Sequence, residues 1–206
     1  MSLTDQIASC RQALAHGEVV LVPTDTVYGV AAALDDGDAV ARLYALKGRD
    51  RSQPCQVLCF SAVVLDTMTS HLPPALRALV HELLPGTTTC IVDDPSGRYA
   101  AAGGADPTSL GIRAPAMEAT FQTIDVPLIA TSANDPGGPD PRTVSDVPDH
   151  LRAGLGAIID LGELPGVASA VVDLRAVGQA TIIRPGPDRG GLVHRLESHG
   201  LRVRTP

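Results

Sequence analysis

Lys47 is the only lysine in a chain of 206 residues that carries sixteen basic side chains, the rest being arginine. It opens the stretch Lys47-Gly48-Arg49-Asp50-Arg51-Ser52-Gln53-Pro54. A retained lysine points to a site that wants a compact, strongly hydrated ammonium with three donors rather than a planar fork. Arg49 and Arg51 follow at once, and Gly48 would let the backbone approach a ligand. The stretch reads as an anion site, for phosphates or carboxylates. The plainer alternative is a solvated helix end whose basic groups answer the helix dipole.

Other polar loops fall where strands are expected to end: Pro23-Thr-Asp-Thr-Val-Tyr-Gly29, Thr131-Ser-Ala-Asn134, Ala168-Ser-Ala170 and Arg184-Pro-Gly186. Ligands bind at such ends in α/β sheets. Hydroxyls at Thr24, Thr26, Ser132 and Ser169 are suitable donors to an anion, and Lys47, Arg49, Arg113 and Arg184 supply charge. Singly, each has a duller role: Thr24 as a turn former, Ser132 as a cap, Arg113 in a surface ion pair, Arg184 as a strand-edge charge. Together they favour one shared site. Neither a G-x-x-x-x-G-K-[ST] loop nor a strand-linked G-x-G-x-x-G is present, so the two common nucleotide-binding designs are excluded. No histidine has a triad-like neighbour, and no covalent nucleophile stands out.

Composition narrows the class. The net charge is −7 and the pI about 5.2, which argues against broad, charge-driven nucleic-acid binding. Aromatic residues make up only 2%, too few for stacking platforms. No window approaches the roughly 20 apolar residues of a membrane span, and residues 1–17 lack the basic-then-apolar run of a signal peptide. A soluble, cytoplasmic protein is expected. Cys10, Cys55, Cys59 and Cys90 form no C-x-x-C pair, so no structural metal site is expected. Cys55 and Cys59 fall four apart on an expected strand and read as buried, reduced thiols.

Helices are expected over residues 4–16 (capped at Thr4, stopped by Gly17), 38–47, 61–69, 74–84, 115–124 and 191–199. Strands are expected at 18–23, 30–33, 55–60, 87–92, 110–113, 127–131, 157–160, 169–174 and 180–184. Thr143-x-x-Asp146 has the form of a capping box. Residues 93–109, rich in Ala, Gly, Pro and Asp, read as a mobile loop, and 202–206 as a frayed tail. The alternation predicts one α/β (α+β) domain over 1–206, with an open mixed sheet flanked by helices.

At these loops the sequence resembles the YrdC-type L-threonylcarbamoyladenylate synthases. The resemblance rests on Pro-Thr-Asp-Thr-Val-Tyr-Gly at 23–29, Lys-Gly-Arg with Pro54, and Pro-Gly at 85–86. It continues with Arg113 in Leu-Gly-Ile-Arg-Ala-Pro, Ser-Ala-Asn at 132–134, Ser169 before Val-Val-Asp-Leu, and Arg-Pro-Gly at 184–186. The order and spacing follow the family from about residue 5 to 190. The resemblance implies a twisted YrdC-like domain whose concave face holds ATP and threonine. It implies that L-threonine, bicarbonate and ATP give threonylcarbamoyl-AMP and pyrophosphate, with Mg2+ accompanying ATP. The product would serve threonylcarbamoyladenosine formation on tRNA, with tRNA or the downstream transfer complex as a further partner. By position, Lys47 and Arg49 would hold the triphosphate as the catalytic pair, and Ser132, Asn134 and Arg184 would contact the nucleotide. Thr24, Arg113 and Ser169 would frame threonine, with no metal held by the protein itself.

The chain departs from the family pattern at Asp50, Leu58, Ala170 and Thr87-Thr88-Thr89. Asp50 would repel an anion unless Arg51 pairs with it, and Ala170 lacks a hydroxyl many members carry. The further C-terminal domain of longer members is not expected. The competing readings are a non-catalytic RNA-binding or ribosome-associated module on the same fold, and a diverged paralogue with another acceptor. Lys47→Ala is expected to abolish turnover while leaving thermal stability nearly intact.

Overall fold

The computed structural model describes residues 1–205. The first helix, α1 (Leu3–Ala15), starts at Ser2 rather than Thr4. Ser2 Oγ accepts from Asp5 N at 3.2 Å, and Asp5 Oδ2 accepts from Ser2 N at 3.1 Å; this reciprocal capping box satisfies two otherwise orphaned donors. Strands β1 (Val20–Val22) and β2 (Gly29–Ala33) follow, joined by the Thr24–Tyr28 turn. Helix α2 (Gly37–Leu46) is capped by Asp36 and ends at Lys47. Gly48 then takes the left-handed conformation, φ +56°, and an added Cβ would meet nothing within 4 Å. It is a helix stop, and no protein atom crowds it.

Strand β3 (Gln56–Leu58) leads to α3 (Ala62–Thr69), α4 (Pro74–Leu83) and β4 (Thr88–Asp93). After α5 (Ala100–Gly103) come β5 (Ser109–Arg113) and β6 (Leu128–Ser132). Helix α6 (Asp149–Ala153), strands β7 (Ala157–Ile158), β8 (Ala170–Asp173) and β9 (Gln179–Arg184), helix α7 (Arg189–Ser198) and β10 (Arg202–Arg204) complete the chain. The strands form one mixed sheet in the order β10-β9-β8-β4-β5-β3-β6-β2-β1-β7. This is the open α/β architecture predicted. β8 and β9 pair antiparallel with no helix between them, while β8 joins β4 in parallel.

Alternation along the strands assigns each side chain to one of two faces. Val30, Val57, Cys90, Val92, Ile112, Ile129 and Val172 point to a core built with α2, α3, α4 and α7. On the other face, Val20, Val22, Ala31, Leu58, Leu128 and Ala130 pack with Ile7, Cys10 and Leu14 of α1 and with Phe60 and Phe121. Burying each large aliphatic side chain contributes about 1.5–3 kcal/mol. Helices cover the first face broadly, whereas α1 covers only part of the second. The uncovered part carries Gln56, Thr89, Gly111 and Arg113, and it is where the polar loops gather.

Three segments differ from expectation. Residues 93–109 are not a loose loop. Asp94 is buried and accepts from Tyr99 N at 2.7 Å, Ala105 N donates to Ser52 O at 2.8 Å, and Cys55 N donates to Ala102 O at 2.9 Å. The segment therefore clasps the basic loop, through contacts distant in sequence that composition does not reveal. Residues 202–204 form β10 in parallel with β9 rather than a frayed end; Pro206 lies outside the described residues. The expected helix at 115–124 contracts to a five-residue 3-10 turn, Ala119–Thr123, and Ala116 N ahead of it donates to Asp25 Oδ2 at 3.0 Å. The box at Thr143 and Asp146 is present but opens a short 3-10 turn ahead of α6.

Gly104 marks the tightest point of the clasp: its φ is +67°, and an added Cβ would lie 2.5 Å from Ser52 O and 2.6 Å from Pro54 N. Gly104→Ala should therefore lower unfolding free energy by about 1–3 kcal/mol or more, read by urea denaturation, because it strains the backbone and displaces the basic loop together.

Candidate active site

The uncovered sheet face and its loops enclose a cavity of about 320 Å³. Its wall includes Thr24, Arg49, Arg113, Ser132, Ser169 and Arg184, six of the eight residues to which the family resemblance gives a role, together with Thr26. Lys47 and Asn134 are not in the wall. Asp25, Gln56, Thr89 and Asp140 had no site role expected from sequence. Gln56, Thr89 and Asp140 line the cavity, and Asp140 is the only carboxylate among its wall residues.

Arg113 is 1% exposed, so the surface ion pair of the plainer reading is in fact a buried one. Its Nη2 donates to Asp25 Oδ1, and its Nη1 to Ala114 O at 3.3 Å. Burial pushes the guanidinium's pKa down, and the Asp25 charge opposes that shift. Gly111 and Arg113 lie two apart on β5 and so share the cavity face. The pair joins the β1–β2 turn to β5, elements 88 residues apart. Asp25 stood in plain view in the Pro-Thr-Asp-Thr motif, but its partner did not.

The hydroxyls do not stand as open donors. Thr24 Oγ1 donates to Val27 O at 2.7 Å and accepts from Thr26 N and Val27 N, so it is the turn former of the plainer reading. With that proton spent, the 2.8 Å contact between Thr24 and Thr26 uses the Thr26 proton. Ser132 Oγ donates to Asn134 Oδ1 at 2.7 Å, and Asn134 Nδ2 donates to Gly138 O at 2.7 Å. Anion binding thus falls to the guanidiniums and backbone N–H groups.

Lys47 Nζ donates to Ser132 O at 2.8 Å and also to Asn134 O. The ammonium does meet the Ser-Ala-Asn turn, but two of its three N–H groups are committed to that turn's carbonyls. Burial lowers its pKa, with the Arg49 charge acting in the same direction. Arg49 spends Nη1 on Thr131 Oγ1 at 2.8 Å and Nη2 on Pro54 O at 2.7 Å, which fixes the plane of its fork at the edge of the cavity. Arg184 is exposed; its Nε donates to Ser169 O at 2.7 Å and its Nη2 to Ser169 Oγ at 3.3 Å. Three arginines therefore face one aspartate in the wall of an acidic protein.

Comparison with known proteins gives the family. The Sua5/YciO/YrdC family model, described as telomere recombination, matches residues 12–186. The chain belongs to the Sua5/YciO/YrdC family. It is 32% identical over 178 residues to a threonylcarbamoyl-AMP synthase of Pyrococcus abyssi, a match covering 83% of this chain and 51% of that protein. The chain thus spans about half the length of that relative. A threonylcarbamoyl-AMP synthase of Chromohalobacter salexigens is 32% identical over 179 residues, with 84% of this chain and 94% of the relative covered. The structure of P. abyssi Sua5 complexed with L-threonine superposes with a TM-score of 0.82 at 26% identity, covering 98% of this chain and 59% of that one.

The departures from the Sua5/YciO/YrdC pattern resolve in structural terms. Ala170 is buried in the core, while its neighbours Ser169 and Val171 line the cavity. A hydroxyl at 170 would not face a ligand. Asp50 is exposed and accepts from Ser52 N at 2.7 Å, which lowers its pKa; it shapes the loop without standing in the wall or pairing with Arg51. Leu58 does line the cavity and gives it an apolar patch. Cys55 and Cys59 are buried and unpaired as expected, though the strand between them covers only Gln56–Leu58.

Two stability effects follow. Asp25→Ala leaves a buried guanidinium uncompensated and should cost about 3–5 kcal/mol. Lys47→Ala strands two carbonyls and should cost about 1–3 kcal/mol, contrary to the nearly intact stability expected from sequence. Both are read from denaturant melts, with exposed Arg11→Ala as the control.

Proposed function

We propose that this protein is an L-threonylcarbamoyladenylate synthase, joining L-threonine, bicarbonate and ATP into threonylcarbamoyl-AMP and pyrophosphate. The observation that carries the reading is the convergence of Arg49, Arg113 and Arg184 with the Thr24 and Ser169 loops on one cavity, in a chain of this family. A volume of about 320 Å³ lies at the lower end of the range for small-molecule sites, about 300–1,000 Å³.

The chemistry asks little of acid–base groups. The threonine amine attacks the carbon of CO2, or that of bicarbonate with a C–O bond breaking to release water, and loses a proton, giving a carbamate. A carbamate oxygen then attacks the α-phosphorus of ATP, and the bond to the β-phosphate oxygen breaks to release pyrophosphate. Charge spreads over phosphate oxygens in both ground and transition states, so preorganised cations and alignment supply the acceleration. Arg49, its fork fixed by Thr131 and Pro54, is placed for the phosphates. Arg113, locked by Asp25, is placed for the amino-acid carboxylate, and Arg184 stands beside Ser169 between them. Lys47 acts mainly by holding the Ser132–Asn134 turn, with its remaining N–H available to the nucleotide.

No group of three metal-ligating side chains occurs among the described residues. Mg2+ would arrive on the triphosphate, because it characteristically takes only one or two protein carboxylates. Asp140 is the wall's available carboxylate, and Mg2+ would neutralise phosphate charge. No helix of the described residues is long and apolar enough to cross a membrane; we place the protein in the cytoplasm, its product passing to tRNA modification.

Pyrophosphate release from ATP should require both threonine and bicarbonate, and omitting either should abolish it. Arg49→Ala should raise the KM for ATP at least about 10-fold, the loss of one charge-assisted contact of about 1.4 kcal/mol or more. Release independent of threonine would refute the assignment.

A further inference from the structure

A row of side chains from β9, the residue before β8, β4 and β3 crosses the cavity floor. Arg184 Nη2 donates to Ser169 Oγ at 3.3 Å, Ser169 Oγ lies 3.1 Å from Thr89 Oγ1, and Thr89 Oγ1 donates to Gln56 Oε1 at 2.9 Å. Each hydroxyl has one proton and two acceptor lone pairs. The Thr89 proton goes to Gln56, so the contact between the two hydroxyls must use the proton of Ser169. A guanidinium only donates. Every proton in the row therefore points from Arg184 toward Gln56. Ser169 is left with a single lone pair and no proton to offer.

We infer that Thr89 and Gln56 hold the Ser169 hydroxyl as an acceptor and thereby select a substrate whose side chain bears a hydroxyl. This inference rests on the proposed synthase reading and goes further, to the residues that set its amino-acid choice. The ligand group meeting Ser169 must be a donor. Arg184 is bonded to both Ser169 Oγ and Ser169 O, and its charge reaches Arg113. An ammonium at this point would be repelled by these cations; a neutral hydroxyl would not. Beside the row lie apolar wall residues: Val171 is the register partner of Thr89, and Ile91 is two residues further along the same face of β4. A donor hydroxyl next to an apolar surface suits a β-hydroxy, β-methyl side chain. Ser169 thus touches the substrate, while Thr89 and Gln56 are positioning residues that act through it.

The test compares kcat/KM, followed by pyrophosphate release, for L-threonine and for L-2-aminobutyrate, which lacks only the hydroxyl. The wild-type chain should favour threonine at least about 10-fold, because a site built for a hydroxyl is left unpaired by the analogue. Thr89→Val keeps nearly the same shape but frees Ser169 to turn, so the preference should fall to about 2-fold or less with the KM for ATP little changed. Gln56→Met removes the terminal acceptor from the other end and should relax selectivity in the same way, which keeps the test valid should Thr89→Val fail to fold. Gln56→Glu retains that acceptor and should retain the preference. An active Thr89→Val or Gln56→Met variant that keeps the wild-type preference, or loses both substrates in parallel, overturns this inference alone. A wild-type chain that releases no pyrophosphate with any amino acid overturns the synthase reading and this inference with it.

Discussion

A guanidinium taken almost wholly out of water must be compensated where it sits, and Arg113 meets that requirement with Asp25. The pair links the β1–β2 turn to β5 across the face that α1 leaves open. Asp25 also accepts from Ala116 N, so one carboxylate anchors the guanidinium and the chain that leaves β5. The turn carrying Asp25 is itself closed by Thr24, which donates to Val27 O. One edge of the cavity is thereby built from a self-satisfied turn and a buried ion pair. Such a pair adds little to net stability compared with an apolar isostere. Its value lies in placing one cation to within a narrow range of orientations.

The same economy holds elsewhere in the wall. Lys47 spends its donors on the Ser132–Asn134 turn, Arg49 spends two on Thr131 and Pro54, and the hydroxyls of Thr24, Ser132 and Ser169 point their protons at protein acceptors. Rigid cations surrounded by satisfied neighbours need no reorganisation when charge develops on a ligand. This is why a chain of net charge −7 can present an anion site. Fifteen arginines and one lysine are spread over the chain, but three arginines converge on one cavity with a single aspartate.

The clasp between residues 94–106 and the basic loop serves the same end. The stretch 47–54 has no secondary structure of its own beyond turns, and it would wander without Ala105, Ala102 and Gly104 packed against it. Composition made 93–109 look mobile because Gly, Ala and Asp carry no periodic signal. What orders the segment is a buried Asp94 and main-chain hydrogen bonds to residues about 50 positions away.

The amino-acid order by itself determined the periodic elements, the mixed sheet and the loops that bear the site, because hydrophobic alternation and turn chemistry act over a few residues. It also pointed to Thr24, Arg49, Arg113, Ser132, Ser169 and Arg184, whose residue types betray their chemistry wherever they lie. Only the tertiary structure decided which groups still have a proton or a charge to offer. Lys47 looked free until its ammonium met two carbonyls from β6 and the turn beyond, and Ala170 looked like a lost donor until strand alternation turned it into the core. Gln56, Thr89 and Asp25 were silent in the sequence because their roles depend on partners 33 to 88 residues away. Hydrogen-bond direction and ion pairing are properties of contacts, and contacts exist only once the sheet has brought distant strands side by side.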